Sequence, residues 1–139
     1  MKKILMLATG GTIATLKTSE GKVPQLTSQE LLRTVPEIRT ICQVETQQLF
    51  QLDSTNVHPR HWQKIAQAIL DHYDGYDGFV ITHGTDTMAY TAAALSYMLP
   101  NSRKPIVLTG AQNSIGERET DGRRNLLDAF LLSLIHISE

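Results

Sequence analysis

Three runs in this chain are apolar without a break, and their shortness constrains the fold more than any other feature. They are Lys3 to Ala8, Gly78 to Thr82 and Pro105 to Thr109. A fourth stretch, between Ile41 and Leu52, carries Ile41, Val44, Leu49 and Phe50 and reads as a further strand. Each run is strand length, and a strand apolar on both sides is stable only where both faces of its sheet are covered. The segments between them have helical spacing. Thr27 and Glu30 stand at capping-box distance ahead of Leu31, Leu32 and Val35, and Pro36 closes that segment. Pro59 suits a first helical position, and Trp62, Ile65, Ala66, Ile69 and Tyr73 follow on one face. An Ala- and Met-rich helix is expected over Asp86 to Leu99. A last one, with Asp121 as its cap, presents Leu126, Leu127, Phe130, Leu131 and Leu134. The alternation predicts an α/β fold: an open, mostly parallel sheet with helices on both faces.

Composition narrows the function classes. With 139 residues, 41% of them hydrophobic, the chain has material for one core. Its net charge of −1, with both signs interspersed, gives no basic stripe for a nucleic-acid partner. Cys42 is the only cysteine, so an intrachain disulfide is excluded and a cytoplasmic setting is expected. Lys2-Lys3 before Ile4 to Ala8 resembles the start of a signal peptide, but the apolar run is too short for one. No stretch is long and apolar enough to span a bilayer, so no membrane partner is expected.

In open parallel sheets ligands bind beyond the carboxyl ends of the strands, and the polar residues concentrate there. The first such loop is Thr9-Gly10-Gly11-Thr12-Ile13-Ala14. Its glycines permit a sharp turn with amides exposed to a ligand, and Thr12 offers a hydroxyl. No Gly-Lys-Ser/Thr follows, which excludes a Walker loop, and the glycines do not match the dinucleotide fingerprint. The second loop, Leu52-Asp53-Ser54-Thr55-Asn56, is by itself ordinary turn composition. In the third, His83-Gly84-Thr85-Asp86-Thr87, Asp86 serves either as a helix cap or as a carboxylate beside the Thr85 hydroxyl. His83 is expected to be a structural hydrogen-bonder more than a general base. The fourth is Thr109-Gly110-Ala111-Gln112, followed by a charged tail at Glu117-Arg118-Glu119 that reads as solvated surface.

Taken together, the loops resemble the asparaginase/glutaminase family. Thr9 to Ala14 looks like its first signature and His83 to Thr87 its second, and Asp53-Ser54, Thr109 to Gln112 and Asp121-Gly122 fall in register. The resemblance covers residues 2 to 132 and implies a threonine-nucleophile amidohydrolase acting on a small amino-acid amide, with neither metal nor organic cofactor. It implies catalytic roles for Thr12, as nucleophile, and for Thr85 and Asp86, as two members of a Thr–Lys–Asp triad. The substrate-binding set it implies is Gly11, Asp53, Ser54, Gly84, Thr85, Asp86 and Ala111, with Asp86 meeting the α-ammonium and Ser54 the α-carboxylate. The family places a tyrosine on the segment after the nucleophile; this chain has none over residues 15 to 30, and Lys22 stands near that place. Family members are longer homo-oligomers with a second, C-terminal domain, and the triad lysine lies beyond the Asp121 helix. Residues 1–132 are therefore expected to be an incomplete N-terminal domain, with 133–139 a foreign tail able to continue the helix, and the chain to be inactive alone. Glutamine preference, an amidotransferase component supplying ammonia for tRNA charging, a non-enzymatic binding module and an unstable fragment remain as alternatives. The amidotransferase component is disfavoured because the chain opens directly on its first strand.

Overall fold

The computed structural model describes residues 1–15 and 26–135. The segment holding Lys22, and positions 136–139 of the expected tail, lie outside the described residues. The elements run β1 (Lys3–Ala8), α1 (Ser28–Arg33), α2 (Ile38–Ile41), β2 (Gln43–Gln48), α3 (Pro59–His72), β3 (Gly78–Thr82), α4 (Met88–Met98), β4 (Ile106–Thr109) and α5 (Gly122–Ser133). The four strands pair only in parallel, in the order β2-β1-β3-β4. Among the described residues no helix is long and apolar enough to cross a membrane.

Side-chain alternation along the central strands divides the core into two layers. Ile4, Met6 and Val80 face one side, where Leu31, Leu32, Ile38, Leu126 and Phe130 cover them. Leu5, Leu7, Phe79 and Ile81 face the other, against Ile65, Ile69 and Leu95. Thus α1, α2 and α5 lie on one face and α3 and α4 on the opposite one. Right-handed crossovers require this. The chain steps outward from β1 to β2, then returns past β1 to β3, so its crossover helix must change face. From β3 to β4 it keeps the same direction, and α4 stays beside α3. Where the direction reverses, between β1 and β3, the outgoing loops part and leave a crevice.

Local signals act as expected at several ends. Thr27 caps α1, accepting from Glu30 N at 3.2 Å, and Pro59 is the first residue of α3. Ser133 completes α5 and is buried, and Leu134 packs against the core, so the start of the expected tail continues that helix. One expectation narrows. The second strand covers only Gln43–Gln48, and Ile41 closes α2 instead of starting it. As the edge strand, β2 pairs on one side and needs no apolar run; its residues alternate between exposed and half-buried. Its rim carries an exposed Lys3–Glu45 ion pair at 3.0 Å, a contact of small energetic weight that still discourages edge association.

Candidate functional site

Beyond the carboxyl ends of the strands, four loops are drawn together by backbone contacts before any side chain matters. Thr9 donates its amide to the Thr82 carbonyl at 3.1 Å, and Leu52 N reaches the Thr9 carbonyl at 3.0 Å. Gly11 then turns at φ 87°, ψ 177°, and a 3-10 turn over Thr12–Ala14 follows. Ile13 and Ala14 anchor that turn in the core and Thr12 points to solvent. Two glycines make the closeness possible. A Cβ on Gly11 would lie 2.5 Å from the Gly84 nitrogen, and one on Gly84 would lie 2.6 Å from the Ser54 Cβ. The first, second and third loops are thus stacked with no room for a side chain between them.

The helices that begin here give up their own caps to hold the loops. Thr87 precedes α4, but its hydroxyl donates to the Ser54 carbonyl at 2.7 Å and makes no cap bond. Asp121 precedes α5, and the expectation that it caps that helix is corrected. Its carboxylate accepts from Gln112 N at 3.0 Å and Asn113 N at 3.1 Å, while Gly122 N turns to Thr120 Oγ1 at 2.9 Å. The fourth loop carries the nearer claim because its two adjacent amides present themselves to both carboxylate oxygens. The amide of Gln112 is the foremost influence lowering the Asp121 pKa. Asp53 behaves locally, accepting from Thr55 N and Thr55 Oγ1, both at 3.0 Å, and these bonds lower its pKa.

The result is a cleft of about 160 Å³ lined by Gly11, Thr12, Thr15, Asp53, Ser54, Gly84, Thr85, Asp86 and Gln112. That is below the size common for drug-like ligands and suits a molecule of amino-acid scale. Among the described residues, the Thr12 and Ser54 hydroxyls and the Asp86 carboxylate have no hydrogen-bond partner, so they face the cleft uncommitted. A hydroxyl nucleophile, a carboxylate for a cation and turn amides for an oxyanion are what an acyl transfer on a small zwitterion needs. No group of three or more His, Cys, Asp or Glu gathers in metal-binding fashion among the described residues.

Of the residues singled out above, Gly11, Thr12, Asp53, Ser54, Gly84, Thr85 and Asp86 come together in the cleft. Ala111 does not line it: its side chain is buried in the core beside Ile13 and Ile115, and the fourth loop reaches the cleft through Gln112. Thr15 is the other residue the reading of the chain missed. Its hydroxyl donates to the Thr12 carbonyl at 2.6 Å, so at 2.7 Å Ser114 must donate to Thr15.

His83 is fully buried and lies outside the cleft lining. Its Nδ1 donates to the Gly84 carbonyl at 2.6 Å, and its Nε2 meets Thr91 Oγ1 at 2.9 Å, which also accepts from Trp62 Nε1. Such a chain suits a neutral ring, and burial holds the His83 pKa below its ordinary value. The unfolded chain therefore takes up this proton first as pH falls below about 6.5. The stability due to neutral His83 is present above that pH and lost below it. Urea unfolding at pH 7.5 and 5.0 should show a larger fall in the wild type than in His83→Gln. Equal falls would assign the pH dependence to another group.

A family model described as Asparaginase, N-terminal, matches residues 3–136. The chain belongs to the asparaginase family. Escherichia coli K12 L-asparaginase 1 is 44% identical over 140 residues, covering 95% of this chain and 40% of that protein. The solved thermostable L-asparaginase from Thermococcus kodakarensis superimposes with a TM-score of 0.88 at 43% identity, over 95% of this chain and 40% of that one. A component of the glutamyl-tRNA(Gln) amidotransferase from Pyrococcus abyssi is 40% identical over the whole of this chain and 32% of its own length. This asparaginase-family chain thus spans about 40% or less of the curated relatives it matches.

Proposed function

We propose that the cleft is the N-terminal half of an asparagine-hydrolysing centre with Thr12 as its nucleophile. The observation that carries this reading is the meeting, at the β1/β3 switch point, of uncommitted Thr12, Ser54 and Asp86 groups beside Gly11 and Gly84. Asp86 receives the α-ammonium and Ser54 the α-carboxylate, which fixes the side-chain amide over Thr12. The Thr12 oxygen bonds to the amide carbon and gives up its hydroxyl proton, the C–N bond breaks, and the nitrogen takes up that proton and leaves as ammonia. Water then cleaves the ester and releases aspartate. Holding both ends of the substrate turns the attack into an intramolecular event, where much of the acceleration arises. Thr85 and Asp86 form the part of the Thr–Lys–Asp triad that this chain supplies.

The stretch that matches the family's N-terminal domain is read as acting in the cytoplasm, and the 139-residue chain alone is expected to bind product without turning over. In an NMR titration of the purified chain with L-aspartate, the amides of Gly11, Ser54, Gly84 and Thr85 should shift. Ammonia release from asparagine should not exceed that of Thr12→Ala. Turnover that depends on Thr12 would establish the nucleophile and refute the inactivity; no shift at those amides would sink the reading of the cleft. Glutamine preference is the second reading, since the two amides differ by one methylene. Glutamine in the same assay separates them.

A further inference from the structure

Gln112 is on the cleft wall, yet the hydrolytic scheme gives it no part. Its backbone is held firmly. Asp121 grips the amides of Gln112 and Asn113, and Asn125, one turn into α5, donates to the Gly110 carbonyl at 2.9 Å. From that base the Gln112 carboxamide donates through Nε2 to Thr85 Oγ1 at 3.2 Å. A carboxamide nitrogen can only donate, so the Thr85 oxygen must accept there, and its single proton is directed elsewhere. On another side the Thr85 methyl is confined by Gly110, where even a Cβ would approach to 3.1 Å. Among the described residues the Thr85 hydroxyl has no acceptor for its proton, and the side chain lines the cleft.

We propose that Gln112 is a positioning residue: held by Asp121, it turns the Thr85 hydroxyl so that its proton points into the cleft and donates to a side-chain oxygen of the bound amino acid. The inference rests on the reading of the cleft as an amino-acid amide site. It makes Gln112 act through Thr85, which separates it from a residue that merely shapes the wall.

A double-mutant cycle tests this, with L-aspartate as the probe, titrated by NMR into the purified 139-residue chain. The chains are the wild type, Gln112→Met, Thr85→Val and the double variant. Methionine keeps the length of glutamine without its donor, and valine keeps the shape of threonine without its hydroxyl. Gln112→Met should weaken binding about tenfold where Thr85 is present, the scale of one hydrogen bond, and less than twofold where it is Val. Amide spectra should show all four chains folded; Thr85→Ala is the second hydroxyl-free background should Thr85→Val not fold. Equal losses in both backgrounds, or no loss in either, would overturn the proposal. If the wild type itself fails to bind, the reading of the cleft falls and this inference with it. Binding with an additive cycle removes the inference alone.

Discussion

Gly11→Ala should lower the stability of the chain by about 4 kcal/mol, from two costs that act together. The first is conformational. At φ 87° and ψ 177° the residue occupies a region that essentially only glycine tolerates, worth about 1–3 kcal/mol to any other residue. The second is steric. The new methyl would stand 2.5 Å from one backbone atom of Gly84 and 2.6 Å from another, with no flexible side chain to move aside. Forcing those loops apart adds roughly 1–3 kcal/mol, as overpacking does elsewhere. Set against the roughly 5–15 kcal/mol that holds a typical domain, this is a large fraction. Urea unfolding should show a lower midpoint at unchanged slope. A loss below about 1 kcal/mol would mean that the stacked loops separate easily and that the cleft is not rigid.

Phe130→Ala should cost a similar amount, about 3–5 kcal/mol, for a different reason. Phe130 is fully buried on α5, among Ile4, Met6, Val80 and Leu126. Its removal deletes a large apolar surface from a core whose neighbours are held by the sheet and cannot collapse inward. The measurement also tests the place of α5 in the fold. If α5 were a loosely attached end, unfolding would change by a few tenths of a kcal/mol only. A large effect would show that α5 is integral, and that the Asp121 grip on the fourth loop is part of the cooperative structure.

The parts of this architecture legible in the chain are those where one physical demand dominates. The runs at Lys3–Ala8 and Gly78–Thr82 must be covered on both faces, and both became central strands. Pro59 and the spacing of Ile65 and Ile69 were enough to read α3. The edge strand lies within the stretch read for it, Ile41 to Leu52, but most of its apolar markers fall outside, because its pairing with β1 supplies what its Gln, Glu and Thr residues do not. Helix α2 has four residues and no side-chain cap, so no periodicity could announce it. At the site, the glycine turns and their threonines were visible because glycine there answers a backbone requirement. Gln112 and Thr15 were not, since each borders the cleft through a fold in a loop that composition does not encode. The only signal for Gln112 was its place two residues after Gly110. Asp121 was misread because a short acid before a helix meets two competing claims, and only the geometry decides between them.

The all-parallel sheet has a consequence for how the chain reaches its folded state. Ile4 at its centre pairs with Val44 on one side and Gly78 on the other, and neither bond can form without closing a long segment of chain. Entropy is therefore lost early and recovered only when several distant pairings exist at once, which makes such sheets slow to form. The cleft draws one loop from behind each strand, so no smaller piece of the fold contains it. Its ligand can recognise the finished molecule alone, and acts as a latch on the native state more than as a guide toward it.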